Sequence, residues 1–129
     1  MKRKILVIDD EEKFCTLVST FLEKKGYAAV TAKGGKQGIR AARYRAPDLI
    51  LLDINMPKMD GFAVLEKLKA DPKTMSIPVI MLTGRGDDDS KLKAASLYSE
   101  HYLTKPFDLE ELDGKISQLL QIVGGATKV

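Results

Sequence analysis

The sequence has only one cysteine and one histidine among its 129 residues. The single cysteine, Cys15, excludes a disulfide within the chain, and it also excludes a cysteine-rich zinc site. Cys15 lies inside a segment with helical periodicity, so we expect it to be a small buried or half-buried side chain rather than a nucleophile.

Long apolar runs and a strong net charge are also missing. No apolar run approaches the ~20 residues that cross a bilayer. After the basic start Met1-Lys2-Arg3-Lys4 only four apolar residues precede the first acids, which is too short for a signal peptide. The net charge of +3 is too small to indicate binding to nucleic acid or a membrane surface. We therefore expect a cytoplasmic protein that binds neither directly.

The sequence does contain short apolar runs that alternate with segments of helical periodicity. Ile5-Leu6-Val7-Ile8 and Leu49-Ile50-Leu51-Leu52 are continuous apolar runs, typical of strands that are covered on both faces. Five strands are predicted, at about 5–8, 27–32, 49–52, 77–82 and 100–103. Five helical patterns are predicted, at about 14–22, 35–45, 64–68, 88–98 and 109–120.

This alternation predicts an α/β fold, with a parallel sheet covered by helices on both faces. The sequence shows no internal repeat or low-complexity segment, so we expect a single domain over residues 1–129, with a frayed tail at 123–129. The residues expected to face the core from the first two helices are Phe14, Leu17, Val18, Phe21, Leu22, Ile39, Ala42 and Ala46.

Polar side chains follow four of the five predicted strands. In parallel α/β sheets, ligands bind beyond the carboxyl ends of the strands, so these side chains should meet at one edge. In chain order they are Asp9 and Asp10, then Asp53 with Asn55, then Thr83, and finally Lys105.

Three carboxylates in one small site should raise the pKa of at least one of them unless a cation is present. Oxygen ligands without histidine or cysteine favour Mg²⁺, with Mn²⁺ or Ca²⁺ as substitutes. Asp53 could be a nucleophile that forms an aspartyl phosphate, with Lys105 and Thr83 stabilising the phosphoryl oxygens. Taken singly, each residue could instead be structural, and Asp10 in particular could be a helix N-cap.

Four segments of the chain resemble a known family. ILVIDDEE, PDLILLDINMPKMDGF, IPVIMLTG and YLTKPF are similar to the receiver domain of bacterial two-component response regulators, the group that includes the chemotaxis response regulator. The resemblance covers residues 3 to about 122. It implies a flavodoxin-like, doubly wound five-stranded sheet of order 2-1-3-4-5 with five helices.

The resemblance implies a phosphorylation site and a metal site. Asp53 matches the phosphoacceptor, which receives a phosphoryl group from a sensor histidine kinase or a phosphotransfer protein. Asp9 and Asp10 match the acidic pair that holds Mg²⁺, Asp10 directly and Asp9 through water. Asp53 and the backbone carbonyl of Asn55 complete the implied metal ligands.

The resemblance also implies a conformational switch. Thr83 and Tyr102 match the two switch residues, and Lys105 matches the lysine of the family, followed by a cis peptide bond to Pro106. Phosphorylation would reshape the face made by the fourth predicted helix, the fifth strand and the fifth predicted helix, where an unknown output partner would bind. The domain would be a monomer or a phosphorylation-dependent dimer, and it would carry out self-catalysed phosphotransfer and autodephosphorylation only.

The sequence leaves three other functions open. An aspartyl-phosphate phosphatase usually carries Asp-x-Asp on its first strand, whereas Asp9 and Asp10 are adjacent. A flavodoxin-type cofactor binder needs a glycine- and hydroxyl-rich loop where this chain has four acids. An interaction module that works without phosphate is the third. One departure from the family pattern, Tyr98-Ser99 in place of the usual Gly-Ala, puts the usual output contacts in doubt.

Overall fold

Five parallel strands form the centre of the molecule. The computed structural model describes residues 2–84 and 101–121, and within them the sheet has the order β2-β1-β3-β4-β5. The strands are β1 (Lys4–Ile8), β2 (Ala28–Ala32), β3 (Leu49–Asp53), β4 (Val79–Thr83) and β5 (His101–Thr104). The predicted sheet and its strand order are confirmed, with strand ends shifted by one or two residues.

Four helices lie in the described part of the chain: α1 (Glu12–Lys24), α2 (Gly35–Arg45), α3 (Gly61–Ala70) and α4 (Leu109–Leu120). The fourth predicted helix, at 88–98, lies outside the described residues, as do the Tyr98-Ser99 departure and the tail at 123–129. In the two ranges that are described, no helix is both long enough and apolar enough to traverse a bilayer.

The core consists of two apolar layers, one on each face of the sheet. Successive side chains of a strand point to opposite faces, so the continuous apolar run of β1 supplies both layers. Leu6 and Ile8 pack in the layer under α2 and α3, and Ile5 and Val7 pack in the layer under α1 and α4. All four side chains are at most 1% exposed, which explains why β1 shows no polar alternation.

Two residues that the periodicity assigned to the core are on the surface. Leu17 is 56% exposed, because the buried stripe of α1 is formed by Cys15, Val18 and Leu22 and Leu17 lies about 100° around the helix from Val18. Ala46 is exposed, because it is the C-cap of α2 and turns away in the left-handed region at φ 45°. Cys15 itself is buried, as expected.

Candidate functional site

The carboxyl ends of β1 and β3 bring three carboxylates together. Ile8 of β1 pairs with Leu52 of β3, so the residues that follow these strands meet at the same edge of the sheet. Asp9, Asp10 and Asp53 each place one oxygen within 4.8 Å of the others. Asp9 and Asp53 are buried and Asp10 is exposed, so the acidic pocket opens to solvent on the side of Asp10.

Lys105 follows the edge strand β5 and reaches the acidic pocket across two neighbouring strands. β3 and β4 lie between β5 and β1, yet Nζ of Lys105 lies 2.7 Å from Oδ2 of Asp9 and 3.6 Å from Oδ1 of Asp53. The amide of Lys105 donates a hydrogen bond to the carbonyl of Thr83. The peptide bond between Lys105 and Pro106 is cis. The structure thus brings the lysine and the acids that the sequence singled out into one pocket.

Burial and neighbouring charges shift the pKa values of Asp53 and Lys105. Desolvation, followed by the charge of Asp9, raises the pKa of Asp53 to about 6, although Lys105 partly offsets these effects. Burial disfavours the charge of Lys105, but the hydrogen bond to Asp9 and the charges of Asp53 and Asp9 outweigh it and raise the pKa of Lys105. Asp53 therefore has the raised carboxyl pKa, but burial contributes more to it than the neighbouring acid Asp9 does.

Asp10 is not the N-cap of α1. The N-cap is Glu11, whose side chain makes no capping hydrogen bond, and Oδ1 of Asp9 accepts a hydrogen bond from the Glu11 amide at 2.9 Å. The structural alternative that the sequence allowed for Asp10 therefore does not hold at this helix. Its carboxylate is exposed and places an oxygen within 4.8 Å of oxygens of Asp9 and Asp53.

Of the remaining predicted residues, Asn55 contacts an acid of the pocket, whereas Thr83 contacts β5 and Tyr102 contacts a core layer. The amide of Asn55 donates to Oδ1 of Asp53 at 3.3 Å. The hydroxyl of Thr83 is engaged with β5, lying 3.1 Å from the hydroxyl of Thr104 and 3.4 Å from the carbonyl of Leu103. Tyr102 is half-buried against the core layer under α2 and α3.

Two contacts at the site were not expected from the sequence. One is the hydroxyl pair formed by Thr83 and Thr104. The other is the ring of Phe14, whose centroid lies 4.0 Å from Nζ of Lys105. The only sequence signal for the first is a threonine directly before the lysine, and Phe14 had the pattern of an ordinary core residue.

Gly61 fixes the backbone that carries Asp53. Its amide donates to the carbonyl of Ile54 at 2.8 Å. A Cβ on Gly61 would overlap the carbonyl oxygen of Asp53 and would lie 2.7 Å from Cα of Ile54. Because both obstacles are backbone atoms, the start of α3 can approach the end of β3 this closely only with glycine.

We expect Gly61→Ala to destabilise the protein by about 1–3 kcal/mol, because the backbone at Asp53 must move to admit the methyl group. The measurement is urea denaturation at pH 7. Gly114→Ala in α4 is the matched control, since a Cβ there meets nothing within 4 Å, and it should stabilise the protein by about 0.5–1 kcal/mol. Equal stability of Gly61→Ala and the wild type would contradict this account of the close approach.

Comparison with known proteins identifies relatives over most of the chain. The family described as the response regulator receiver domain matches residues 5–117. The DNA-binding dual master transcriptional regulator RpaA of Synechocystis is 42% identical over 118 residues, which cover 92% of this chain and 49% of RpaA. The alkaline phosphatase synthesis transcriptional regulatory protein PhoP of Bacillus subtilis is 36% identical over 121 residues, covering 94% of this chain and 50% of PhoP.

A solved structure agrees with these relatives. The chemotaxis protein CheY4 of Vibrio cholerae superposes with a TM-score of 0.82 at 28% identity, covering 95% of this chain and 100% of that one. The chain spans about half the length of the curated relatives that it matches. From its fold, its acidic edge and these relatives, the chain belongs to the receiver domain family of two-component response regulators.

Proposed function

We propose that this domain is a switch that is turned on when Asp53 accepts a phosphoryl group from a sensor histidine kinase or a phosphotransfer protein. The observation that carries the proposal is the gathering of Asp9, Asp10, Asp53 and Lys105 in one pocket from three separate strand ends. Response regulators of this family work with histidine kinases. The choice of kinase depends on surfaces of the domain that lie outside the acidic pocket.

The donor set fits a hard divalent cation. Among the described residues, three carboxylates lie beside one ammonium group in the pocket, and the three carboxylates offer oxygen ligands only. We assign Asp10 and Asp53 as direct ligands of Mg²⁺, Asp9 as a ligand through water because Lys105 engages its Oδ2, and Asn55 as a ligand through its carbonyl. Mn²⁺ or Ca²⁺ could substitute. Bound Mg²⁺ would neutralise charge on the phosphoryl oxygens during transfer.

Asp53 and Lys105 have separate roles in the transfer of the phosphoryl group. The pKa of Asp53 is raised only to about 6, so its carboxylate is mostly ionised at pH 7 and available as a nucleophile. An oxygen of Asp53 forms the new bond to phosphorus as the bond to the donor breaks. Lys105, 3.6 Å from Oδ1 of Asp53, is placed to contact an oxygen of the arriving phosphoryl group.

Phosphorylation then changes the contacts that the switch residues Thr83 and Tyr102 make within the domain. A phosphoryl group at Asp53 adds strong acceptor oxygens and raises the negative charge to roughly −1.5 to −2. The hydroxyl of Thr83 leaves Thr104 and turns toward these oxygens, and Tyr102 moves inward. The face made by the predicted helix at 88–98, β5 and α4 changes as a result, and the equilibrium between two states shifts.

This function places the domain in the cytoplasm, where it contacts neither nucleic acid nor a membrane directly. It acts as a monomer or as a phosphorylation-dependent dimer. An unknown output partner binds the face that changes on phosphorylation. Residues 1–129 act as one domain. The only reactions that this domain carries out are its own phosphorylation and dephosphorylation. RpaA is a DNA-binding regulator, but this chain spans 49% of that protein.

The test is mass spectrometry after incubation with acetyl phosphate, with and without Mg²⁺. We expect one added phosphoryl group on the wild type, none on Asp53→Asn, and none after chelation with EDTA. Labelling that persists in Asp53→Asn would contradict the assignment of the phosphoacceptor. Sustained hydrolysis of an added phosphate ester would favour the phosphatase, and a folded wild type that takes no label would favour the phosphate-independent module.

A further inference from the structure

The ammonium group of Lys105 contacts an aromatic ring as well as two carboxylates. Phe14 lies in the first turns of α1, and its ring centroid is 4.0 Å from Nζ of Lys105. This is well inside the separation of about 6 Å at which a cation is attracted to an aromatic face. The same Nζ lies 2.7 Å from Asp9 and 3.6 Å from Asp53.

The ring of Phe14 is itself held in place. Phe107, two residues after Lys105, packs against it edge to face, with ring centroids 6.0 Å apart and an interplanar angle of 86°. Both rings pack against the core layer under α1 and α4. Only 28% of the Lys105 side chain is exposed, and cation–ring attraction is strongest where water is largely excluded. The contact is therefore built from a fixed ring and a partly desolvated cation.

During phosphotransfer, Lys105 has to exchange an interaction. Before transfer its nearest acceptor is Asp9 at 2.7 Å, and afterwards its partner is an oxygen of the phosphoryl group on Asp53. A lysine has a flexible four-carbon stem, so its ammonium group can move to solvent when the acceptor changes. A ring that attracts the cation without competing as a hydrogen-bond acceptor would keep Nζ in the pocket throughout.

We propose that Phe14 is a positioning residue for the phosphorylation of Asp53, acting by holding the ammonium group of Lys105 at the acidic pocket. The role rests on the proposed function. Removing the ring while keeping an apolar side chain should slow phosphorylation by roughly three- to thirty-fold, the range that corresponds to one cation–ring contact. The concentration of donor at half-maximal rate should stay unchanged, because Phe14 acts on Lys105 and not on the free donor.

An ordinary packing role predicts a different pattern of variants. Phe14→Leu keeps an apolar side chain and removes the ring, whereas Phe14→Tyr keeps the ring. Phe21→Leu is the matched control, because Phe21 belongs to the same helix and the same core layer but its ring lies near Lys25, 5.6 Å from Nζ. If packing alone mattered, Phe14→Leu and Phe21→Leu should have similar effects on the rate of phosphorylation.

The first measurement needs no phosphodonor. In the NMR spectrum, the ε-methylene protons of Lys105 should be shifted upfield by the ring current in the wild type, Phe14→Tyr and Phe21→Leu. In Phe14→Leu they should return to the range of exposed lysines. An unshifted signal in the wild type would overturn the contact on which the proposal stands. Phe14→Met is the second variant without a ring, should Phe14→Leu fail to fold.

The second measurement is the rate of phosphorylation by acetyl phosphate with Mg²⁺, a small donor that needs no protein docking surface. We expect Phe14→Leu to lower the maximal rate, and Phe14→Tyr and Phe21→Leu to retain it. Full-rate Phe14→Leu, or Phe14→Tyr as slow as Phe14→Leu, would overturn the positioning role while leaving the proposed function intact. A wild type that takes no phosphoryl group at all would overturn both, even with the upfield shift present.

Discussion

Replacing Lys105 with methionine will destabilise the metal-free protein at pH 7 by about 3 kcal/mol. Breaking a buried ion pair typically costs about 3–5 kcal/mol, because a charge is left buried without a partner. Asp9 would be that charge, since its side chain is 1% exposed and its Oδ2 accepts from Lys105 at 2.7 Å. The lower end of the range applies because 28% of the Lys105 side chain still reaches solvent. Urea denaturation in EDTA measures the loss.

Two further variants test whether the loss of stability comes from breaking the buried ion pair or simply from removing a lysine. Lys33→Met removes an ion pair with Glu12 whose side chains are 56% and 75% exposed, so the loss should stay below about 1 kcal/mol. Adding Asp9→Asn to Lys105→Met should recover part of the stability, because the unpaired carboxylate disappears. Similar losses for Lys105→Met and Lys33→Met would show that the buried pair contributes no more than a surface pair.

The opposite change in stability is expected at Asp53. We predict that Asp53→Asn stabilises the metal-free protein at pH 7 by up to about 3 kcal/mol. In the folded protein the pKa of Asp53 is raised from 3.8 to about 6, mainly by burial and by the charge of Asp9, and each unit corresponds to about 1.4 kcal/mol. Asparagine has nearly the same shape and no charge, so it removes the cost of ionising this buried position.

The sign of the pH dependence follows from the raised pKa. Well below pH 3.8 Asp53 is protonated in both the folded and the unfolded chain, so it adds no pH dependence to the free energy of unfolding. As the pH rises from 3.8 to about 6 the unfolded chain gives up this proton first, and the wild type loses stability relative to Asp53→Asn. Above about pH 6 the difference stays constant.

Denaturation curves between pH 4 and pH 8 in EDTA test this dependence. The gain in the free energy of unfolding from Asp53→Asn should be small at pH 4 and close to its full value at pH 7. Mg²⁺ should reduce this gain by stabilising the wild type more than the variant. Glu66→Gln, a change at an exposed position of α3, should show no such pH dependence. A variant Asp53→Asn that is less stable than the wild type at pH 7 without metal would contradict the electrostatic account.

The centre of the sheet could be predicted from the sequence because β1 and β3 are buried on both faces. Ile5 to Ile8 and Leu49 to Leu52 are apolar without interruption, and few other structures require that pattern. The strand order came from the family resemblance instead, since periodicity does not specify which strands are neighbours. Leu17 was misplaced for a related reason: spacing indicates an apolar face of a helix, but the width of the buried stripe depends on what packs against it.

The residues of the site were predictable as a group, but their interactions with one another were not. Parallel strands end at one edge, so Asp9, Asp53 and Lys105 had to lie near each other. Which acid pairs with the lysine depends on the directions of side chains at the ends of β1, β3 and β5. The ring of Phe14 beneath that lysine depends on the same geometry, and its spacing in α1 fits a simple core position equally well.

If Thr83 acts as the proposed switch, its contact with Thr104 affects the background output of the domain. Because the Thr83 hydroxyl is already satisfied by β5, at 3.1 Å from Thr104 and 3.4 Å from Leu103, rotating it toward an unmodified Asp53 gives up existing hydrogen bonds. In a two-state equilibrium, every 1.4 kcal/mol of that difference lowers the spontaneously active population about tenfold. Under the proposed switch, the active population before phosphorylation would therefore depend on contacts with the edge strand β5, and not only on the carboxylate of Asp53.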